Sequence, residues 1–329
     1  MPADAIGLDI GGANLKAADA IGRSLIRPFE LWRHPERLVD ELARIRDIWP
    51  DSSAVAVTMT GELCDCFETK RDGVRHILAA VKHAFGNLPI GVWSLDGVFL
   101  SVAEAITRPI DVAAANWHAQ ATFAGRYARE GAAILVDTGS TTTDVIPLMN
   151  GKPVAVGRTD SDRLKSRELV YTGARRTPIC AVLGEKVAAE LFATTLDAYI
   201  ALELIPEDAD NRSTADGRPA TKHFALARLA RMIGGDAETI SPMEITAIAH
   251  DVLAAQSQLI ATAIIHVCVR LQSPLQCIIV SGSGGWLAEH AIASMPVGVG
   301  DIRRVYIACP ESACAHALAV LYGEVGRCA

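Results

Sequence analysis

Short runs rich in Val, Ile and Leu alternate along this chain with longer stretches whose apolar residues return every three or four positions, the spacing of one buried helix face. The first kind predicts strands near 6–10, 14–20, 23–29, 53–59 and 90–94; the second predicts helices over 36–48, around 74–85 and over 111–129. The same order then restarts. Strands are expected at 132–137, 142–148 and 153–157, followed by a less regular segment. A helix over 244–271, a strand at 276–281, a helix over 285–293, a strand at 304–308 and a helix over 311–324 complete the pattern. Each half reads β-β-β-α-β-α, which predicts an α/β protein of two related domains, 1–130 and 131–329, with a ligand cleft between them. Pro206, Pro219 and Pro242, with the polar run PEDADNRSTADGRPATK, mark 158–240 as a cap inserted in the second domain.

Composition narrows the function classes. The 329 residues exceed the usual size of a single core, which agrees with two domains. Half are hydrophobic but only 5% are aromatic, which favours α/β over an all-β chain. A net charge of −7 argues against a nucleic-acid partner, because phosphate backbones recruit basic faces. The opening MPADAIGLDIGG enters a strand at once and carries no export signal, so a cytoplasmic protein is expected. The apolar stretch LIATAIIHVCV is interrupted by His266 and followed by Arg270, reads as shorter than a membrane span, and is expected to be a buried helix with no membrane partner. The eight cysteines read as reduced thiols. Neither Cys64 with Cys66, nor Cys309 with Cys314 and His316, supplies the paired-ligand pattern of a zinc site.

The candidate chemistry lies in two loops of one design. In LVDTGSTTTDVI, 135–146, an apolar strand stops at Asp137, runs through Thr138, Gly139, Ser140, Thr141 and Thr142, and resumes after Asp144. In IGLDIGGANLKAAD, 6–19, a strand meets Asp9, turns on Gly11 and Gly12 with Asn14, and returns through Lys16. Glycine-rich hairpins point successive backbone N–H groups into one concavity and let an anion approach closely, so both read as phosphate-binding loops. The hydroxyls of the second loop add donors. Aspartates cannot touch phosphate directly; Asp9, Asp137 and Asp144 make sense as ligands or outer partners of Mg²⁺, and Lys16 as a source of neutralising charge. Each loop taken singly also fits an ordinary tight hairpin. A third glycine-rich turn, Gly282-Ser283-Gly284-Gly285, joins a strand to a helix and offers free N–H groups to an anion or a flat wall to a ring. The P-loop and dinucleotide-fold spacings are absent. VDTGS also occurs in aspartic proteases, but their matched carboxylate dyad and β-rich composition are missing here.

The loops DIGGANLK and DTGSTTTD and the turn SGSGG together resemble the superfamily of actin, the sugar kinases and the heat-shock chaperone ATPases. TMTGELCD (58–65), AAANW (113–117), ELVYTGARRTP (168–178) and AELFATTLDAY (189–199) resemble its hydantoinase/oxoprolinase-related branch, and more narrowly the methanofuran-biosynthesis synthases linked to tetrahydromethanopterin-dependent one-carbon transfer. The resemblance covers essentially the whole chain. It implies two RNase H-like (actin/sugar kinase-like) domains. It also implies a Mg²⁺-dependent transferase that joins an aminomethylfuran-methyl diphosphate to the phenol of a γ-glutamyl-tyramine- or tyrosine-type acceptor, releasing diphosphate and forming an ether.

Such a phenol needs a proton acceptor. Glu62 and Asp65, at the end of strand 53–59, are the first candidates, and a structural role suits each as well. Arg175 and Arg176 could clamp diphosphate or a glutamyl carboxylate, or form a solvated pair. Asn116 and Trp117 line the cleft or belong to a core, and Asp216-Gly217-Arg218 is a turn. The other readings are an ATP-dependent small-molecule kinase or oxoprolinase-like ATPase, with ATP or ADP in the same loops, and a nucleotide-binding switch. Oligomeric state stays open.

Overall fold

The computed structural model describes residues 4–236, 238–295, 302–307 and 310–325. The chain opens with strands β1 (Ala5–Ile10), β2 (Asn14–Asp19) and β3 (Ser24–Pro28), then helix α1 (Leu38–Arg46), β4 (Ala54–Met59), α2 (Lys70–Phe85), β5 (Ile90–Trp93) and β6 (Phe99–Leu100). Helices α3 (Val102–Thr107), α4 (Pro109–Val112) and α5 (Asn116–Ala124) follow, then β7 (Ala132–Thr138), β8 (Thr143–Met149) and β9 (Lys152–Pro153). Next come α6 (Asp160–Lys165), β10 (Leu169–Val170), α7 (Ile179–Leu183), α8 (Thr195–Ala201), α9 (Lys222–Arg231) and α10 (Pro242–Leu271). β11 (Leu275–Ser281), α11 (Gly285–Ala293), β12 (Arg303–Tyr306) and α12 (Ala313–Val325) close the order.

The first sheet runs β3-β2-β1-β4-β5-β6, with β1 antiparallel to β2 and parallel to β4. Side chains alternate across it. Ile6, Leu8 and Ile10 of β1 share a core with Val55, Val57 and Met59 of β4 and with Leu42, Ile45, Ile77 and Leu78 of α1 and α2. The opposite face carries Gly7 and Asp9, and there α12 lies so close that a Cβ on Gly7 would stand 1.8 Å from the Ala315 carbonyl oxygen. Alanine at 315 and 319, one turn apart on the facing side of α12, makes that approach sterically open. The second sheet runs β10-β8-β7-β11-β12, with β9 paired to β8.

Compactness divides the chain into one unit of Met1–Leu135, Ile146–Arg163 and Val305–Ala329 and another of Val136–Val145 and Leu164–Arg304. In the second, α10 packs against α7, α8, α9 and α11.

Four expectations change. The helix expected over 111–129 is broken: α4 ends at Val112, Ala114 takes φ 48°, and α5 starts at Asn116. A positive φ on alanine is costly and ends a helix. The strand expected at 153–157 shrinks to two residues, and the far edge of β8 is taken by β10 from the segment read as inserted, so the second half is not a copy of the first. That segment is also more regular than expected, holding α6 to α9. Finally, the stretch read as too short for a membrane belongs to a helix of 30 residues, long and apolar enough by length and composition to cross one. Its buried residues, Ile248, Val252, Gln256, Ile260, Ile264 and Val267 among them, lie at helical spacing and pack inside the second unit. The same test is passed by core helices.

Candidate functional site

In the first unit, β1 and β2 are joined by the turn at Gly11 to Ala13, closed by the Gly11 amide donating to the Asn14 carbonyl at 3.0 Å. The Phe29 and Leu31 amides donate to Ala13 and Gly12, tying the turn to the chain beyond β3. A Cβ on Gly12 would lie 2.7 Å from the Cys64 sulfur, which would have to move aside. Asp9 sits just before the turn, 6% exposed, with Lys16 of the neighbouring strand 3.9 Å from Oδ2. Burial pushes the Asp9 carboxyl above its ordinary range and the Lys16 ammonium pulls the other way. Oδ1 of Asp9 has no hydrogen-bond partner, nor has the hydroxyl of Thr58, the fully buried residue paired with Asp9 across β1 and β4. Two buried, unsatisfied oxygens on neighbouring strands are costly unless a ligand uses them.

Beyond β4 the chain enters a tight turn, Gly61–Leu63, that holds Glu62 at 1% exposure. Helix α2 presses on it from behind: a Cβ on Gly73 would stand 2.3 Å from the Glu62 carbonyl oxygen. Desolvation drives the Glu62 carboxyl up to about 7, against hydrogen bonds from its own amide and that of Ala114 and the attraction of Lys70, while Asp160 adds to the rise. Oε2 of Glu62 is left without a partner. Lys70 lies 3.9 Å from Asp160, whose other oxygen is 3.7 Å from the Arg163 guanidinium. Arg163 is in turn stacked 4.4 Å over Trp117. Lys70 and Asp160 were not picked out from sequence, and Thr58 and Ala114 entered only as members of the stretches TMTGELCD and AAANW. Asp65, the other candidate base, is exposed. Asn116 is half-buried and begins α5; its carbonyl accepts from the Cys314 thiol at 3.4 Å.

In the second unit, β7 ends at Thr138 and the loop closes with the Gly139 amide donating to the Thr142 carbonyl at 2.9 Å. Ser140, Thr141 and Thr142 are half-buried, whereas Thr138 is fully buried with its hydroxyl facing Thr143. The TGARR turn fits behind this loop. Amides of Ala174, Arg175 and Arg176 donate to the carbonyls of Gly139 and Ser140, and a Cβ on Gly173 would lie 2.6 Å from the Thr141 nitrogen. Arg175 is half-buried and Arg176 exposed. Gly282, at φ 85°, and Gly284 bring the third turn against β7: the Gly284 amide donates to the Thr138 carbonyl at 2.8 Å, and a Cβ on Gly282 would lie 2.8 Å from Asp137 Oδ1. Ser283 and Gly285 are half-buried, with Gly285 opening α11. Asp137 is half-buried, and Asp144 is 7% exposed within β8, in register with Leu169. No three His, Cys, Asp or Glu gather as a preformed metal cage among the described residues. Cys309, part of one sequence grouping, lies outside those residues.

The two mixed sheets with their flanking helices are those of the actin and sugar-kinase fold class. A candidate N-acetylmannosamine kinase from Listeria monocytogenes superposes with a TM-score of 0.51 at 15% identity, covering 98% of this chain and 99% of that one. Acetone carboxylase superposes with a TM-score of 0.51 at 13% identity, covering 93% of this chain and 51% of that one. The chain belongs to the hydantoinase/oxoprolinase family, whose model matches residues 53–324, and within it to the group of the methanofuran-biosynthesis synthases. It is 34% identical to the (4-{4-(2-(gamma-L-glutamylamino)ethyl)phenoxymethyl}furan-2-yl)methanamine synthase of Methanocaldococcus jannaschii, over 87% of this chain and 88% of that protein. The Methanococcus vannielii synthase of the same name is 34% identical over 49% of this chain and 75% of its own length.

Proposed function

We propose that this chain makes the ether named in its relatives: it joins an aminomethylfuran-methyl diphosphate to the phenol of a γ-glutamyl-tyramine-type acceptor and releases diphosphate. The observation that carries this reading is the 34% identity to the Methanocaldococcus jannaschii synthase across nearly the whole of both chains. The site chemistry supports it. The bond from the furan methylene to diphosphate oxygen breaks with its electron pair leaving on diphosphate, the phenol oxygen bonds to the methylene, and the phenol proton goes to a base. Glu62 is that base: burial pushes its carboxyl up to about 7, and Oε2 has no hydrogen-bond partner.

The backbone turn at Gly11, Gly12 and Asn14 with Lys16, and the loop of Gly139, Ser140, Thr141 and Thr142, would receive diphosphate oxygens. Asp9 fits a Mg²⁺ ligand, because a cation there would satisfy its unpartnered Oδ1 and relieve its desolvation. Asp137 and Asp144 are the second unit's candidates for the same role. Bound Mg²⁺ would stabilise charge gathering on the departing diphosphate. Arg176, exposed beside the loop, would pair with an acceptor carboxylate, and half-buried Arg175 with phosphate.

The test is incubation of the purified protein with Mg²⁺, furan-methyl diphosphate and γ-glutamyl-tyramine, followed by mass analysis. The ether should form without ATP. Product formation that strictly requires ATP hydrolysis would instead make the chain a kinase- or oxoprolinase-like ATPase.

A further inference from the structure

A buried network of side-chain hydrogen bonds in the second unit lies behind the second phosphate loop, and none of the roles assigned above uses it. Its centre is Gln256 of α10, fully buried. The Gln256 amide nitrogen donates to the Thr172 hydroxyl at 2.6 Å and to the Gly173 carbonyl at 2.9 Å, and its oxygen accepts from the Tyr199 hydroxyl of α8. The Gly173 carbonyl also accepts from the Thr195 hydroxyl at 3.0 Å, the Gly173 amide donates to the Thr177 hydroxyl at 3.0 Å, and the Thr143 hydroxyl donates to the Thr172 carbonyl at 2.9 Å. Each of these side chains is at most 7% exposed.

From this knot the chain runs directly to both glycine turns. Residues 174–176 give three amides to the carbonyls of Gly139 and Ser140. On the other side the Tyr199 ring stands edge-on to Trp286, 4.6 Å between centroids, and Trp286 follows Gly285 of the third turn. Burial holds the Tyr199 hydroxyl far above its usual range, so it stays a donor.

A purely packing helix has no need of a buried glutamine, since an amide taken from water is tolerated only when its donors and acceptor are matched. Here all are matched, and the groups matched are the ones that set the position of residues 172–176. We propose that Gln256 and Tyr199 are positioning residues that fix the anion-binding shape of the loop at 138–142 from behind, through the 172–176 turn and Trp286. The inference rests on the reading of that loop as a diphosphate site.

The probe is inorganic pyrophosphate with Mg²⁺, titrated calorimetrically into the full-length wild type and into Gln256→Met, Tyr199→Phe and Val267→Ala, with thermal melts in parallel. Met fills a similar volume without the amide, Phe keeps the ring against Trp286, and Val267 lies three turns further along the same buried helix face. Gln256→Met and Tyr199→Phe should each bind pyrophosphate about tenfold more weakly, the scale of one mispaired buried group. The double variant should be no weaker than Gln256→Met, because both act through one knot. Val267→Ala should lose melting temperature but keep its affinity. Wild-type binding with unchanged affinity in both polar variants overturns the inference alone, as does an equal loss in Val267→Ala. A wild type that fails to bind pyrophosphate overturns the loop reading and the inference together.

Discussion

Glu62 and Asp9 sit where a chain read for stability alone would place leucine or threonine. Both carboxyls are raised by burial, and the sign of that effect fixes two opposite pH dependences. In the role of base proposed for it, Glu62 must be ionised, so the rate of ether formation should climb as pH rises through about 7, and Glu62→Gln should remove the rise together with most of the turnover. Stability runs the other way. Between the ordinary glutamate value near 4.5 and about 7, the folded protein binds the proton that the unfolded chain has released, so folding stability falls as pH rises through this window. Glu62→Gln should abolish that decline, and above the window it should melt higher than wild type by an amount on the order of 1–3 kcal/mol. A variant that is inactive and less stable at every pH would leave Glu62 only a structural part. Asp9→Asn should likewise stop turnover without lowering the melting temperature, since an amide of the same size removes a desolvated charge; near-normal activity at low Mg²⁺ would remove Asp9 from the metal role. Both residues were singled out in the sequence, Asp9 as the acidic group at the end of an apolar strand and Glu62, beside Asp65 just beyond another, as a candidate proton acceptor for which a structural role was an equal reading. Their surroundings were not: Lys70 and Asp160, which tune Glu62, come together only through the fold, and a positive φ at Ala114 leaves no mark in an alanine run.

Among the elements, the strands and long helices followed directly from periodicity, because burial on one or two faces of a sheet or helix writes itself into spacing. The pattern gave way where tertiary contacts override it. Edge strand β9 is cut short, and β10 takes its place from a segment whose prolines and polar run looked like a cap. Sequence treated the turn at 172–176 as a carrier of arginines, whereas its backbone is the backing of the loop at 138–142. Gly173 shows how tight this fit is, since a Cβ there would lie 2.6 Å from backbone atoms of both Ser140 and Thr141. Gly173→Ala should therefore push the loop outward: pyrophosphate binding should weaken at least about tenfold while far-ultraviolet circular dichroism stays native, the range expected of overpacking at one contact. Unaltered binding by a folded variant would show that the turn does not govern the loop.

Across the whole molecule, the part of the chain read as an insertion is held by charge as well as by apolar packing. Asp197 and Arg228 meet at 2.7 Å with no exposure at all, and Arg228 reaches Asp216 at 3.0 Å. Burial pushes the Asp197 carboxyl up more strongly than Arg228 draws it down; Asp216, against a smaller desolvation, is held at about 2 by Arg218 and Arg228. Arg228→Met should cost about 3–5 kcal/mol in denaturant unfolding, the usual loss when one partner of a buried pair is removed, and pairing it with Asp197→Leu should recover much of the loss. If the single change costs under about 1 kcal/mol, the pair is not what holds this segment. Sequence could not reveal the pair, as Asp216-Gly217-Arg218 looks complete as a turn in itself. The close seat of α12 on β1 has a consequence in time. β1 is synthesised long before the helix that covers its Gly7 face, which begins only at Ala313. At typical synthesis rates of about 5–20 residues per second, that face waits roughly a quarter of a minute to a minute for its cover, and a nascent chain in that interval is the form on which chaperones would act.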